Sequence, residues 1–285
     1  MTITRRKFLK ISLVSAVSTA AAGVGGFAYA HDIEPGWIEI VSLDLTLPRL
    51  SPAFDGYKLV QFSDIHLGTG MTPARLAQIV ELVNAQQPDA VAITGDFVTH
   101  GSMDKLEPLL IEALSGLQAK DVSVAILGNH DHWTDPAAIR RVINGSGLVD
   151  LSNTTYSVER DGALLHLAGV DDYWERMDRL DDVLARLPDQ GAAVLLAHEP
   201  DYADISAASG RFDLQISGHS HGGQVIFPFI GPLVLPSYGK KYPLGRYQVG
   251  DMIQYTNRGV GTISPAVRFN CRPEITVFTL RAGLT

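Results

Sequence analysis

The sequence predicts an α/β fold with a β-rich second half. Two patterns predict it. As far as residue 147, short apolar runs alternate with helical periods, which implies βαβ units and mostly parallel pairing. Beyond that point the apolar runs follow one another with fewer helical periods between them. The chain has 285 residues, 46% hydrophobic and 19% charged, which is globular composition.

The elements follow in order. WIEIVSLDLTL (37–47) alternates and reads as a strand. YKLVQFSD (57–64) is a second strand with a polar end. TPARLAQIVELVNAQQ (72–87) is an amphipathic helix, with Thr72 as its N-cap and Pro73 at its first position. DAVAITGD (89–96) is a short apolar strand, and a helix follows over about 104–118. DVSVAILGNHD (121–131) is a third run of this kind. DPAAIRRVINGSG (135–147) is a helix capped by Asp135 and stopped by glycine. TTYSVER and ALLHLAGV form a hairpin around Asp161-Gly162. A short helix covers about 178–187. AAVLLAHEP (192–200) is a buried strand. DLQISGHSHGGQVIF (213–227) is a strand, a glycine-rich turn and another strand. EITVFTL is the last strand. The pattern contains no short-period repeat and no interdomain linker, so residues 31–285 read as one domain.

The first thirty residues read as a separate unit. A basic start (Arg5, Arg6, Lys7, Lys10), an apolar Ala-rich middle and Ala28-Tyr29-Ala30 have the layout of an export signal with a cleavage site. Arg5-Arg6 followed by Phe8-Leu9-Lys10 resembles the twin-arginine signal, which implies the twin-arginine export machinery as a partner and a periplasmic or cell-envelope location. The mature chain is expected to start near His31. A retained anchor is the competing expectation, because Ile11–Tyr29 is nearly long enough to span a bilayer.

The formal net charge is −8, and the first thirty residues hold four basic groups and no acidic one, which leaves −12 for the body. That balance argues against general nucleic-acid binding. The single cysteine, Cys271, excludes an intramolecular disulfide and a cysteine-based zinc site, and reads as a small packed residue.

Five polar clusters follow apolar runs. They are Asp64-Ile65-His66, Gly95-Asp96, Gly128-Asn129-His130-Asp131, His198-Glu199-Pro200 and Gly218-His219-Ser220-His221. In parallel sheets, loops at the strands' carboxyl ends converge on one crevice. Carboxylate, amide and imidazole donors without a thiolate suit Mn²⁺, Fe or Zn²⁺. In D-x-H and H-x-H, alternate residues of an extended segment point the same way, so each pair aims two donors at one site. Each cluster alone is commonplace, as a turn or a capped strand end. Five in this order point to a metal centre.

The order and wording of the five resemble the calcineurin-like metallophosphoesterase superfamily, with its D-x-H, G-D, G-N-H-[DE], H and G-H-x-H signature. HEP, SGHSHGGQ and NRGVG…VRFNCRPEI are more narrowly similar to its exported bacterial phosphodiesterase branch. The resemblance implies a four-layer α-β-β-α sandwich. It implies two divalent metal ions (Mn, Zn or Fe) that share a hydroxide, which attacks phosphorus in line. It assigns Asp64, His66 and His221 to one metal, Asn129, His198 and His219 to the other, and Asp96 to both. It makes His130 the catalytic acid or transition-state stabiliser, with Asp131 orienting it. Gly128 is expected to make the turn that presents Asn129 and His130. GDFVTH and LGNHD depart from the protein-phosphatase wording, and Thr99 and His66 depart from that of the purple acid phosphatases. Cyclic-nucleotide phosphodiesterases, nucleases and a non-catalytic metal-binding envelope scaffold remain open.

His31 and His166 read as structural or exposed. His100 and His132 stand close enough to the motifs to support them from behind. Trp133 and Trp174 read first as core or rim packing. Residues 225–236 carry no charge and three prolines, and Lys240, Lys241 and Arg246 follow. Either this loop folds back with its apolar side chains in the core, or it forms an apolar rim with a basic collar beside the metals. The second reading implies peripheral membrane contact and a lipid-linked phosphate ester.

Overall fold

β1 (Glu39–Leu47), β2 (Tyr57–Phe62), β3 (Ala90–Thr94), β4 (Val122–Ile126), β5 (Val149–Asp150) and β14 (Glu274–Ala282) form one six-stranded sheet, ordered β1-β14-β2-β3-β4-β5. β2 to β5 run parallel, β14 is antiparallel to β2, and β1 is parallel to β14. The computed structural model describes Arg5 and residues 23–283. Most of the expected export signal therefore lies outside the described residues. Residues 23–28 are helical, and Tyr29–Ile33 continue as a wider π turn. Among the described residues no helix is long and apolar enough to cross a membrane.

β6 (Thr154–Arg160), β7 (Ala163–Gly169), β8 (Ala192–Leu196), β9 (Leu214–Ser217), β12 (Gly245–Val249) and β13 (Met252–Thr256) form a second sheet, ordered β12-β13-β9-β8-β7-β6. Its four middle strands are parallel and its two edge strands antiparallel. β10 (Ile226–Phe227) and β11 (Gly231–Pro232) make a separate small ribbon.

Period-2 alternation puts the two faces of each strand into different cores. Ala90 and Ala92 of β3 face the second sheet, in one cluster with Val124, Ile126, Val194, Leu196, Leu214 and Ile216. Val91 and Ile93 face the other way, onto Ile79, Leu110 and Ile139 of the helices Pro73–Ala85, Met103–Leu114 and Pro136–Gly145. In β8, Ala193 and Leu195 turn to a third cluster with Val183 and Ala203 of the helices Leu180–Arg186 and Ala203–Ala208. Helix, sheet, sheet, helix is the four-layer order that the resemblance implies. Strands buried on both faces read as unbroken apolar runs, which is why β3 and β8 were legible.

Local signals hold at several boundaries. Thr72 Oγ1 accepts a bond from the Arg75 N–H at 3.2 Å, and Asp135 Oδ1 one from Ala138 at 3.0 Å. The β6–β7 turn has φ of 51° at Asp161 and 74° at Gly162, as a type I′ hairpin requires. The fold departs from the sequence reading in two places. β4 stops at Ile126, and Asn129–Thr134 is a short helix capped by Gly128. The β12–β13 hairpin has no counterpart in the sequence reading, because Gln254 and Thr256 place polar side chains in a fully buried strand.

Candidate metal centre

All five polar clusters lie beyond the carboxyl ends of β2, β3, β4, β8 and β9, where the two sheets meet. The first sheet supplies Asp64, His66, Asp96 and Asn129. The second supplies His198, His219 and His221. All seven are buried. Asp64, His66 and His221 bring one donor atom each within 4.8 Å of one another, as do Asp64, Asp96 and His198, and also His66, Asp96 and His130.

Asp96 is the centre of the group. Its Oδ2 stands 3.4 Å from His66 Nε2 and 3.3 Å from His198 Nε2, while its Oδ1 accepts the His130 backbone N–H at 2.9 Å. Both Asp64 oxygens accept the His219 backbone N–H at 3.1 Å, and His221 Nε2 lies 3.3 Å from Asp64 Oδ1.

The donor pairs do not converge from extended backbone as the sequence reading expected. Asp64, His66, Asp96, His219 and His221 all have φ between 50° and 68°. Bulky residues rarely take this left-handed conformation, and it persists where surrounding structure enforces it. Gly128 is also not the turn glycine expected. Its φ is −118° with ψ 177°, which is extended. A Cβ there would meet Asp96 Oδ1 at 2.4 Å and His198 Cε1 at 2.7 Å, so glycine is needed for close approach. Gly128→Ala is expected to displace Asp96 and weaken metal affinity about 10–100-fold. A metal titration with unchanged affinity would refute that account.

Asp131 does not orient the His130 ring. Its carboxylate accepts backbone N–H bonds from Asp96, Phe97 and Gly128 at 2.9, 2.8 and 3.0 Å, and so pins the β3 loop to the start of the short helix. The His130 ring is held instead by the Thr99 carbonyl, 3.1 Å from Nδ1, and His66 Nδ1 lies 2.8 Å from Thr99 Oγ1. One threonine thus sets two imidazoles. The adjacent sequence carried no signal for it beyond its nearness to Gly95-Asp96.

The donor set fits a cation. Thr94 O, 2.7 Å from His198 Nδ1, takes the proton on that nitrogen and leaves Nε2 facing Asp96 without a hydrogen bond. Burial lowers the His198 pKa, but the Asp96 carboxylate outweighs it and holds the imidazole well above its ordinary value, so the site calls for positive charge at Nε2. Burial pushes Asp64 up to about 7, with Asp96 repulsion adding to the effect and His198 opposing it. Burial lowers His66 to about 3, and takes His221 well below its ordinary value with His66 adding to the effect. Neutral imidazoles then face each other at 3.0 Å between His66 Nε2 and His221 Nε2. His219 Nε2 is 2.8 Å from the Ser237 carbonyl, which turns the Nδ1 lone pair toward Asn129 Oδ1 at 3.0 Å. Opposed lone pairs and carboxylates become favourable once cations lie between them.

The cleft above the donors has a volume of about 200 Å³ and is walled by His130, Trp133, Trp174, Pro236 and Ile263. Of the two readings open for the tryptophans, core or rim packing and cleft lining, the structure gives them a place on the cleft. They meet edge to face at 5.4 Å, with Trp133 against His130 and Trp174 against His219. His132 bonds Asp171 at 2.8 Å, which Arg140 also holds, so it supports the wall from behind. His100 is exposed and His166 is bonded to Ser157 and Gln190 away from the site.

Arg268 escaped sequence reading. It is fully buried, and its guanidinium donates to the carbonyls of Arg258, Gly259, Gly261 and Cys271. It organises the segment that packs under Asp64 and His221, where Cys271 Sγ donates to the His221 carbonyl at 3.2 Å. Of the basic collar, Lys241 is paired with Asp204 at 2.7 Å.

Comparison with known proteins agrees with this geometry. The chain is 35% identical over 282 residues to the protein named "Uncharacterized metallophosphoesterase YkuE" of Bacillus subtilis (strain 168), covering 98% of each. It is 29% identical over 282 residues to "Phosphodiesterase YaeI" of Escherichia coli (strain K12), covering 98% of this chain and 99% of that one. It is 31% identical to "Transmembrane protein with metallophosphoesterase domain" of Danio rerio, over 85% of this chain and 57% of that one. Residues 57–223, from β2 to the glycines after His221, match the calcineurin-like phosphoesterase profile, and the chain is a metal-binding phosphoester hydrolase that belongs to the calcineurin-like phosphoesterase family.

Proposed function

We propose that the chain hydrolyses a phosphodiester or pyrophosphate with two divalent cations, Mn, Zn or Fe. Asp64, His66 and His221 hold one, Asn129, His198 and His219 the other, and Asp96 reaches both. The observation that carries this reading is the position of Asp96 Oδ2, between His66 Nε2 at 3.4 Å and His198 Nε2 at 3.3 Å. Divalent ions held there would polarise the phosphoryl oxygens and activate water for in-line attack.

The protein's own residues do the rest. Thr99 O fixes the proton on His130 Nδ1, which leaves Nε2 for the substrate. As general acid, His130 would present a proton at Nε2 to the leaving oxygen and give it up as the P–O bond breaks. Trp133 and Trp174 wall the cleft on the His130 side. The retained donors and His130 favour catalysis over a scaffold role.

We further infer that residues 1–30 direct export through the twin-arginine machinery, that residues 31–285 act in the periplasm or cell envelope, and that the substrate is lipid-linked. The apolar loop after His221 supports this, since Phe227, Phe229, Ile230, Leu233 and Val234 are exposed and do not enter the core.

Elemental analysis of protein saturated with Mn²⁺ or Zn²⁺ is expected to give two ions per chain. Metal at a hundred times its Kd is expected to stabilise the fold by about 2.7 kcal/mol per site, and chelation to reverse this. A stoichiometry fixed at one under saturating metal would exclude the paired centre.

A further inference from the structure

Beside the catalytic cleft lies a second pocket of about 360 Å³, lined chiefly by Val225, Leu233, Val234, Ile263, Pro265 and Val267. It shares His221, Pro236 and Ile263 with the cleft, so the two adjoin. Its volume falls in the roughly 300–1,000 Å³ range of small-molecule sites. Two polar side chains at its wall are already committed. Ser220 Oγ donates to the Pro243 carbonyl at 2.5 Å. The Gln224 amide donates to the carbonyls of Ile263 and Pro265 and accepts the Ile263 N–H. An occupant of this pocket is apolar, and it starts at a metal-donor histidine.

The rim has the same character. The β10–β11 hairpin carries the turn Phe227-Pro228-Phe229-Ile230, closed by Ile230 N to Phe227 O at 3.2 Å. Phe229 stands fully exposed at φ 68°, and Ile230 and Val234 are 74% and 75% exposed. A phenylalanine held left-handed at a loop tip, with no core contact to offset it, points to an apolar surface outside the protein. Phe269 links this hairpin to the N-terminal stretch, at 5.6 Å from Phe227 and 6.4 Å from Tyr29. There Val24 and Phe27 are exposed too, and the preceding sequence is apolar.

We propose that the pocket is a subsite for one alkyl chain of a membrane-borne phosphodiester, and that the Phe229 hairpin enters the bilayer surface to receive it. This rests on the phosphodiesterase reading above. The phosphoryl group lies over the metal donors while the chain leaves past His221 and Ile263 into the pocket. The bilayer is the source of the chain, because exposed Leu233 and Val234 line the pocket, and the hairpin they follow is linked through Phe269 to the N-terminal stretch.

The test uses the metal-loaded full chain and p-nitrophenyl alkyl phosphates from methyl to octyl, each below its micelle concentration. Full burial of a methylene is worth about fourfold. We expect kcat/KM to climb by about 10²–10³ across the series, and the octyl-to-methyl ratio to collapse in Val267→Asp and in the half-exposed Leu233→Ser, with bound metal and melting temperature as controls. On phosphatidylcholine vesicles doped with hexadecyl p-nitrophenyl phosphate, Phe229→Asp is expected to lose at least about tenfold, while its octyl-to-methyl ratio in solution holds. A flat wild-type series with active methyl ester overturns the chain subsite. An unaffected Phe229→Asp on vesicles overturns the membrane contact. Inertness of the whole series, methyl to octyl, with two metals bound instead removes the phosphodiesterase reading itself.

Discussion

Asp96→Ala is expected to lose both metals and to lower kcat/KM for a soluble diester by about 10³-fold or more, because electrostatic stabilisation of a phosphoryl transition state fails with them. The reason is position. One carboxylate oxygen faces His66 and His198, which come from different sheets, and the other accepts the His130 backbone N–H. No neighbouring side chain can replace it, since Asp64 is held by the His219 N–H and Asp131 by three backbone donors. Asp96→Asn keeps the volume and removes the charge, and is expected to lose metal as well. Elemental analysis beside a circular-dichroism check of folding decides it. A folded Asp96→Ala protein that still carries two ions would mean that Asp96 is not the shared ligand.

His130→Ala is expected to keep both metals and the fold, yet to lose on the order of 10²–10⁴ in turnover, with most of the change in kcat. The geometry makes this a real choice between roles. His130 has a ring nitrogen within 4.8 Å of donors on His66 and Asp96, so it lies close enough to serve as a ligand. Its Nδ1 faces the Thr99 carbonyl, and its ring packs edge-on against His66 at 4.9 Å and Trp133 at 4.7 Å. That places it as a wall of the cleft. Loss of one metal in His130→Ala would reverse the assignment and make it part of the donor set.

What the sequence determined by itself was the inventory and its order. Asp64, His66, Asp96, Asn129, His130, His198, His219 and His221 each follow an apolar run. β3 and β8 are legible because burial on both faces leaves no polar residue to blur them. The caps at Thr72 and Asp135 and the turn at Asp161-Gly162 were legible too, because each depends on residues within four positions of one another. The tertiary structure decided what distant segments do to one another. The sequence has no local sign that Gly128 makes room for Asp96 and His198, that Asp131 binds the β3 loop and not the His130 ring, or that Thr99 sets two imidazoles. Nor does it show that five site residues are held at positive φ, since bonds to distant segments fix those conformations, such as Asp64 N–H to Gly95 O, His66 N–H to Asp96 O and His219 N–H to Asp64. β13 and Arg268 were missed for the same reason. Thr256 in the buried β13 donates to the Tyr242 carbonyl, and the Arg268 guanidinium donates to four carbonyls; folding brings these acceptors near, and local sequence does not contain them.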